Sequence, residues 1–130
     1  MFLNSETDYA IRIVACLAEH SERLGAGAIA DFTGVTPRYA LKILHKLSLG
    51  GIVKSYKGAY GGYVLARPSG NITLLEVIEL MCGPINLSRC QCDDNGCTHP
   101  QGACYFRETL DDVSVYMRNK FKSVTFSREG

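Results

Sequence analysis

Apolar positions recur along this chain with the spacing of helices. Over 7–19 they fall at Tyr9, Ala10, Ile13, Val14 and Leu17, which predicts a helix with one buried face. Gly25 and Gly27 predict an interruption over 24–27, followed by a short helix over 28–32. Gly34 and Val35 form a tight turn. Thr36 then offers an N-cap and Pro37 a first helical residue, where its missing N–H costs nothing. The helix that starts there runs to about Leu49, with Ala40, Ile43, Leu44 and Leu47 at core spacing, and Gly50-Gly51 end it. Two helices around a short glycine turn predict a helix-turn-helix.

The period then changes. IVKSY and YVLAR are short β-prone runs around the turn KGAYGG, so a hairpin or wing follows, ended by Pro68 and Gly70. Thr73 to Glu76 reads as a capping box opening a third helix that ends at Cys82 before Gly83-Pro84, with Glu76 expected to reach back to the cap. The stretch 89–103 is rich in turn formers and has no apolar period, which predicts a loop. From about 105 to 124, Phe106, Leu110, Val113, Met117, Phe121 and Val124 recur every three or four residues, the mark of a long amphipathic helix. The expected fold is mainly α with a small β-hairpin. Its parts are a winged helix-turn-helix over 1–82, a cysteine-rich loop over 83–104 and a long C-terminal helix over 105–125.

A chain of 130 residues with 46% apolar and 21% charged residues supports one core and carries no low-complexity tract. Its apolar runs are broken by charge below membrane-spanning length, and its start lacks the basic-then-apolar order of a secretion signal, so a soluble cytoplasmic protein is expected, without a membrane partner. Net charge is +1, yet from Phe32 through Leu75 no acidic residue occurs, while Arg38, Lys42, Lys46, Lys54, Lys57 and Arg67 all lie in that window. On the 37–49 helix, Arg38, Lys42, His45 and Lys46 share a face opposite Ile43, Leu44 and Leu47. A helix docked in the major groove of duplex DNA needs this division between an apolar anchor and a cationic face. Thr36 and Tyr39 at the start of that helix, with Lys57, Tyr60 and Gly61 of the wing, complete the candidate DNA contacts. The plainer readings are a solvated basic helix face and glycines that serve turn geometry alone. The wing glycines lack the spacing and the Lys-Ser/Thr ending of a nucleotide phosphate loop.

Cys90, Cys92, Cys97 and Cys104 crowd one polar stretch, with His99 beside them. In a reducing compartment such thiolates suit an iron–sulfur cluster or zinc better than persistent disulfides. A single close pair, Cys90 and Cys92, disfavours a zinc ribbon, and a metal-free oxidation switch is the remaining alternative. Cys16 and Cys82 read as isolated small apolar residues. An enzyme built on one cysteine and His99 lacks any nucleophile motif, so no enzymatic activity is expected. A pure interaction module would leave the basic window unexplained.

The wing sequence KGAYGGYVLARP, the capped helix ITLLEVIE and the loop cysteines together resemble the Rrf-type winged-helix regulators of the IscR, NsrR and RirA kind, over about residues 1–122. The resemblance implies a homodimer formed through the long C-terminal helix. It also implies binding to palindromic operators, as a repressor, under control of iron–sulfur status, iron, nitric oxide or redox state through a 2Fe-2S or 4Fe-4S cluster. Three loop cysteines serve as ligands in such members. Cys97 and Cys104 match the second and third, while Cys90 and Cys92 compete for the first, Cys92 being preferred by its separation from Cys104. IscR-like members carry a histidine ligand where this chain has Arg107. NsrR-like members instead resemble it at Asp8, which implies Asp8 of the partner subunit as fourth ligand, with Glu6 and His99 as alternatives. An ordinary first-turn aspartate favoured by the helix dipole is the simpler reading of Asp8.

Overall fold

Helix α1 (Ser5–Glu19) begins ahead of the apolar stripe because Asn4 caps it, its side chain accepting from the Thr7 N–H at 2.9 Å. The computed structural model describes residues 4–59, 61–87 and 101–127, with nothing on the side chains of 101–105. Ala10, Ile13 and Val14 of α1 are wholly buried and Leu17 nearly so. Each of the larger ones contributes about 1.5–3 kcal/mol by leaving water.

Helix α2 (Ala26–Thr33) departs from expectation, for Gly27 lies inside it and Gly25 serves as its cap. A helical glycine costs about 1 kcal/mol relative to alanine. Complete burial of Ile29 in the core offsets that cost through tertiary packing, to which a local reading of glycine is blind. Gly34 adopts the left-handed conformation, φ 78°, and its N–H closes α2 on the carbonyl of Ala30.

Helix α3 (Pro37–Leu49) has the expected bounds. Thr36 caps it by accepting from the Tyr39 N–H, Pro37 opens it, and Ala40, Ile43, Leu44 and Leu47 are wholly buried. The hairpin of β1 (Val53–Tyr56) and β2 (Gly62–Leu65) is antiparallel, pairing Val53 with Leu65 and Tyr56 with Gly62. Leu24, before α2, adds a one-residue bridge to Tyr63 through two backbone hydrogen bonds of 3.2 and 2.8 Å. The wing is thereby fastened to the α1–α2 connection.

A 3-10 turn (Ser69–Asn71) leads to α4 (Leu74–Cys82), which Thr73 caps as expected. The reciprocal half of the capping box is not made. The Glu76 carboxylate instead accepts from both terminal nitrogens of Arg67, at 3.3 and 2.8 Å, because the wing exit brings a cation within reach.

Helix α5 (Gln101–Lys122) starts directly after Pro100, ahead of the expected residue 105, and so includes Cys104 in its span. It is bound to the rest of the chain on both sides of α4. Beyond its end, Val124 accepts from the Leu74 N–H and Phe126 donates to Ile72. Midway along it, Ser114 Oγ accepts from the Leu87 N–H at 2.8 Å and Arg118 donates to the Ile85 carbonyl. Leu110, Val113 and Tyr116 remain exposed on it. The observed fold is therefore mainly α with a two-stranded wing, as the sequence predicts.

Candidate nucleic-acid interface

The solvent side of α3 is set by its buried side. With Ala40, Ile43, Leu44 and Leu47 fixed in the core, the 100° step of the helix sends Arg38, Leu41, Lys42 and His45 outward, and all four are exposed. Lys46 turns back toward the domain and is half-buried. Its ammonium donates to the Glu6 carboxylate across the α1–α3 contact. Tyr39 is also half-buried, its ring meeting Tyr9 edge-on at 5.5 Å while the Lys42 ammonium lies 5.7 Å from its centroid. Thr36 is exposed and its hydroxyl is engaged in the helix cap. The exposed cations are therefore Arg38 and Lys42, with His45 between turns of the same face.

Lys57 is exposed at the wing. Gly61 is demanded by the turn itself, since a Cβ there would lie 2.2 Å from the Tyr56 carbonyl oxygen, and its N–H closes on Gly58. Tyr60 lies outside the described residues. Arg23 escapes a reading of the acid-free window because it precedes it. The Leu24–Tyr63 bridge brings its guanidinium to 3.7 Å from the Tyr56 ring centroid, beside Lys54 at 5.3 Å. Proximity across the fold, which no local pattern encodes, makes the wing root more cationic than its own sequence.

Beneath this face, Thr7 is wholly buried and joins α1 to the end of α4. Its hydroxyl donates to Asn4 Oδ1 at 2.9 Å, which leaves the Cys82 thiol to donate to it over 2.7 Å. Cys82 is thus a hydrogen-bonding residue rather than the inert apolar one its isolation suggests. Cys16 does behave as a buried thiol: burial, then the neighbouring Glu19 carboxylate, pushes it above its ordinary range.

Of the candidate metal ligands, Cys90, Cys92, Cys97 and His99 lie outside the described residues, as does the side chain of Cys104. Asp8 sits half-exposed on α1, ion-paired with Arg12 at 3.0 Å. Such a surface pair is worth at most about 1 kcal/mol, so Asp8 remains open to a stronger partner. Glu6 is less available, being mostly covered and bound to Lys46. Among the described residues no group of three or more His, Cys, Asp or Glu side chains is placed to hold a metal ion. None of their helices is long and apolar enough to cross a membrane.

The same frame recurs in known proteins. CymR (YrzC), the global cysteine regulator of B. subtilis, superposes with a TM-score of 0.81 over 97% of this chain and 93% of its own, at 24% identity. The HTH-type transcriptional regulator IscR of Xenorhabdus nematophila is 33% identical over 94 residues, 70% of this chain and 57% of that protein. Protein aau3 of Rhizobium meliloti is 33% identical over 91 residues, 69% of this chain and 59% of that protein. The chain therefore matches under two thirds of the length of these curated relatives. The Rrf2 family model, described as an iron-dependent transcriptional regulator, matches residues 3–128. The family is one of transcriptional regulators and not of enzymes. On that match over nearly its whole length, the chain belongs to the Rrf2 family.

Proposed function

We propose that the protein is a homodimeric transcriptional regulator that binds palindromic duplex DNA with α3 and the wing, and that the cysteine-bearing segment over 83–104 receives its signal. One observation carries the DNA reading: an exposed face bearing Arg38, Lys42 and His45 on the second helix of a helix-turn-helix, in a stretch without acidic residues. Leu110, Val113 and Tyr116, exposed along α5, supply the apolar surface that pairing of two copies would cover. Repression follows from occupancy of an operator. The division into a head over 1–82, a sensor segment over 83–104 and a dimer helix over 105–125 belongs to the same proposal.

For the signal, the chemistry supported best is that of the thiols themselves, through a zinc site or a metal-free switch. Cys90, Cys92, Cys97 and Cys104 suffice for either, whereas a cluster on three of them calls for a ligand from outside the segment, where Glu6 is covered and ion-paired and Asp8 is held by a surface pair alone. A second reading, favoured by the iron dependence of the family model, is a cluster on Cys92 or Cys90, Cys97 and Cys104, completed by Asp8 of the partner subunit. A bound cluster would supply a link between subunits that is sensitive to oxidation and to nitric oxide.

For DNA, Lys42→Ala weakens binding and lowers the slope of log affinity against log salt by about 1.8, about 0.9 for each subunit of the dimer. An unchanged slope excludes this face. For the signal, anaerobic purification followed by absorption spectroscopy and iron, sulfide and zinc analysis decides. Matching iron and sulfide establish the cluster, zinc establishes the metal site, and a colourless metal-free protein establishes the switch.

A further inference from the structure

Helix α3 exposes two leucines, Leu49 at its last residue and Leu41 in its first half, and only Leu41 stands among the exposed cationic and imidazole side chains of the helix. Leu41 is 49% exposed, while Ala40, Ile43, Leu44 and Leu47 of the same helix are all at 0%. It lies one turn from Arg38 on one side and one turn from His45 on the other, both exposed, and beside exposed Lys42. It also stands in the first half of the helix, the part that reaches base edges when a helix of this class enters the major groove. The core gains little from it.

We infer that Leu41 is a specificity-determining residue that reads a thymine through its C5-methyl group. The inference rests on the DNA-binding face proposed above. Its cationic and imidazole neighbours attract phosphates and base acceptors, which places the face against DNA. A leucine side chain neither donates nor accepts a hydrogen bond, so its contribution to base readout is apolar. In the major groove the thymine methyl is the apolar group on offer. Against cytosine, the same side chain would cover an amino donor and return no acceptor, which disfavours that base. Leu41 therefore selects thymine by attraction and rejects cytosine by desolvation.

The test begins by enriching duplexes from a randomised pool with the full-length protein. Each thymine of the enriched duplex is then replaced singly by deoxyuridine, which removes only the methyl group. The expected result is one thymine in each half-site whose methyl loss weakens wild-type binding about fourfold, the worth of one buried methyl group. Leu41→Ala, altered in both subunits, binds the parent duplex as the wild type binds the duplex carrying uracil at that position in both half-sites, and is indifferent to that methyl. Lys42→Ala, weaker throughout, keeps the methyl sensitivity. If no thymine distinguishes wild type from Leu41→Ala, the role of Leu41 is overturned while DNA binding stands. If no duplex is enriched, the DNA reading fails and the role of Leu41 with it. The deoxyuridine arm alters no protein residue, so folding of a variant does not enter it.

Discussion

The Glu6 carboxylate and the Lys46 ammonium meet at 2.5 Å, so the first turn of α1 neutralises a cation of α3, the helix proposed to read DNA. The Glu6 side chain is 17% exposed and that of Lys46 41%, which leaves the lysine side open to a competing phosphate. Glu6→Gln removes the competition. DNA affinity is expected to rise severalfold and the salt slope to steepen by about 1.8, about 0.9 for each subunit, at a stability cost of about 1 kcal/mol or less. Anisotropy titrations at several salt concentrations check this, and an unaltered slope would show that Lys46 stays off the phosphates.

Thr7→Val keeps the shape of a buried side chain and removes both the donor to Asn4 Oδ1 and the acceptor of the Cys82 thiol. A loss of about 1 kcal/mol in urea denaturation is expected. Thr7→Ser, which keeps the hydroxyl, separates the hydrogen bonds from the packing, since it forfeits only the methyl. A valine variant as stable as wild type would mean that the two bonds of the hydroxyl add nothing beyond packing.

Gly62→Ala places a Cβ 2.9 Å from the Leu24 carbonyl carbon and oxygen, at a φ of 149° that side chains rarely adopt. The wing should detach from the α1–α2 connection at a cost of about 1–3 kcal/mol. Hydrogen exchange reads this directly. The amides of Leu24 and Tyr63 lose protection, whereas retained protection would show that the backbone accommodates the methyl.

The raised Cys16 thiol sets a pH dependence of definite sign. Below the ordinary thiol range it is protonated in folded and unfolded chains alike, and its ionisation leaves stability unchanged there. Above that range the unfolded chain releases the proton first, so wild type loses stability relative to Cys16→Ala as pH rises. Denaturation midpoints of the two proteins across alkaline pH test this, and parallel curves would count against it. In native protein, alkylation of Cys16 should lag behind that of an exposed thiol and catch up in denaturant.

What the sequence discloses about this fold depends on how far apart the interacting residues are. Cap, proline, apolar period and terminating glycines of α3 lie within one short stretch, and its bounds are readable from them. Helix α2 is misread at Gly27 because the buried Ile29 that holds it owes its burial to other helices. Glu76 is drawn away from its cap by Arg67, across the wing exit. The basic face follows from local spacing, but its charge does not: Lys46 is paired by Glu6 from the other side of the helix-turn-helix, and Arg23 arrives through a bridge to Tyr63. The cysteines announce themselves by crowding, whereas the engagement of Cys82 with Thr7 depends on α1 packing against α4.

The clasp between α4 and α5 gives the chain a modular character. Ile72 ahead of α4, Leu74 at its first residue, and Ile85 and Leu87 behind it are all tied to α5 or to the residues just after it. The chain up to Leu87, and α5 from Ser114 onward, are thus anchored by groups outside the intervening segment. Connections between fixed anchors tolerate changes of length and composition at small entropic cost. On the proposed function, the cysteine segment would be an exchangeable cartridge, and one chassis could be refitted for a different signal without recutting its core.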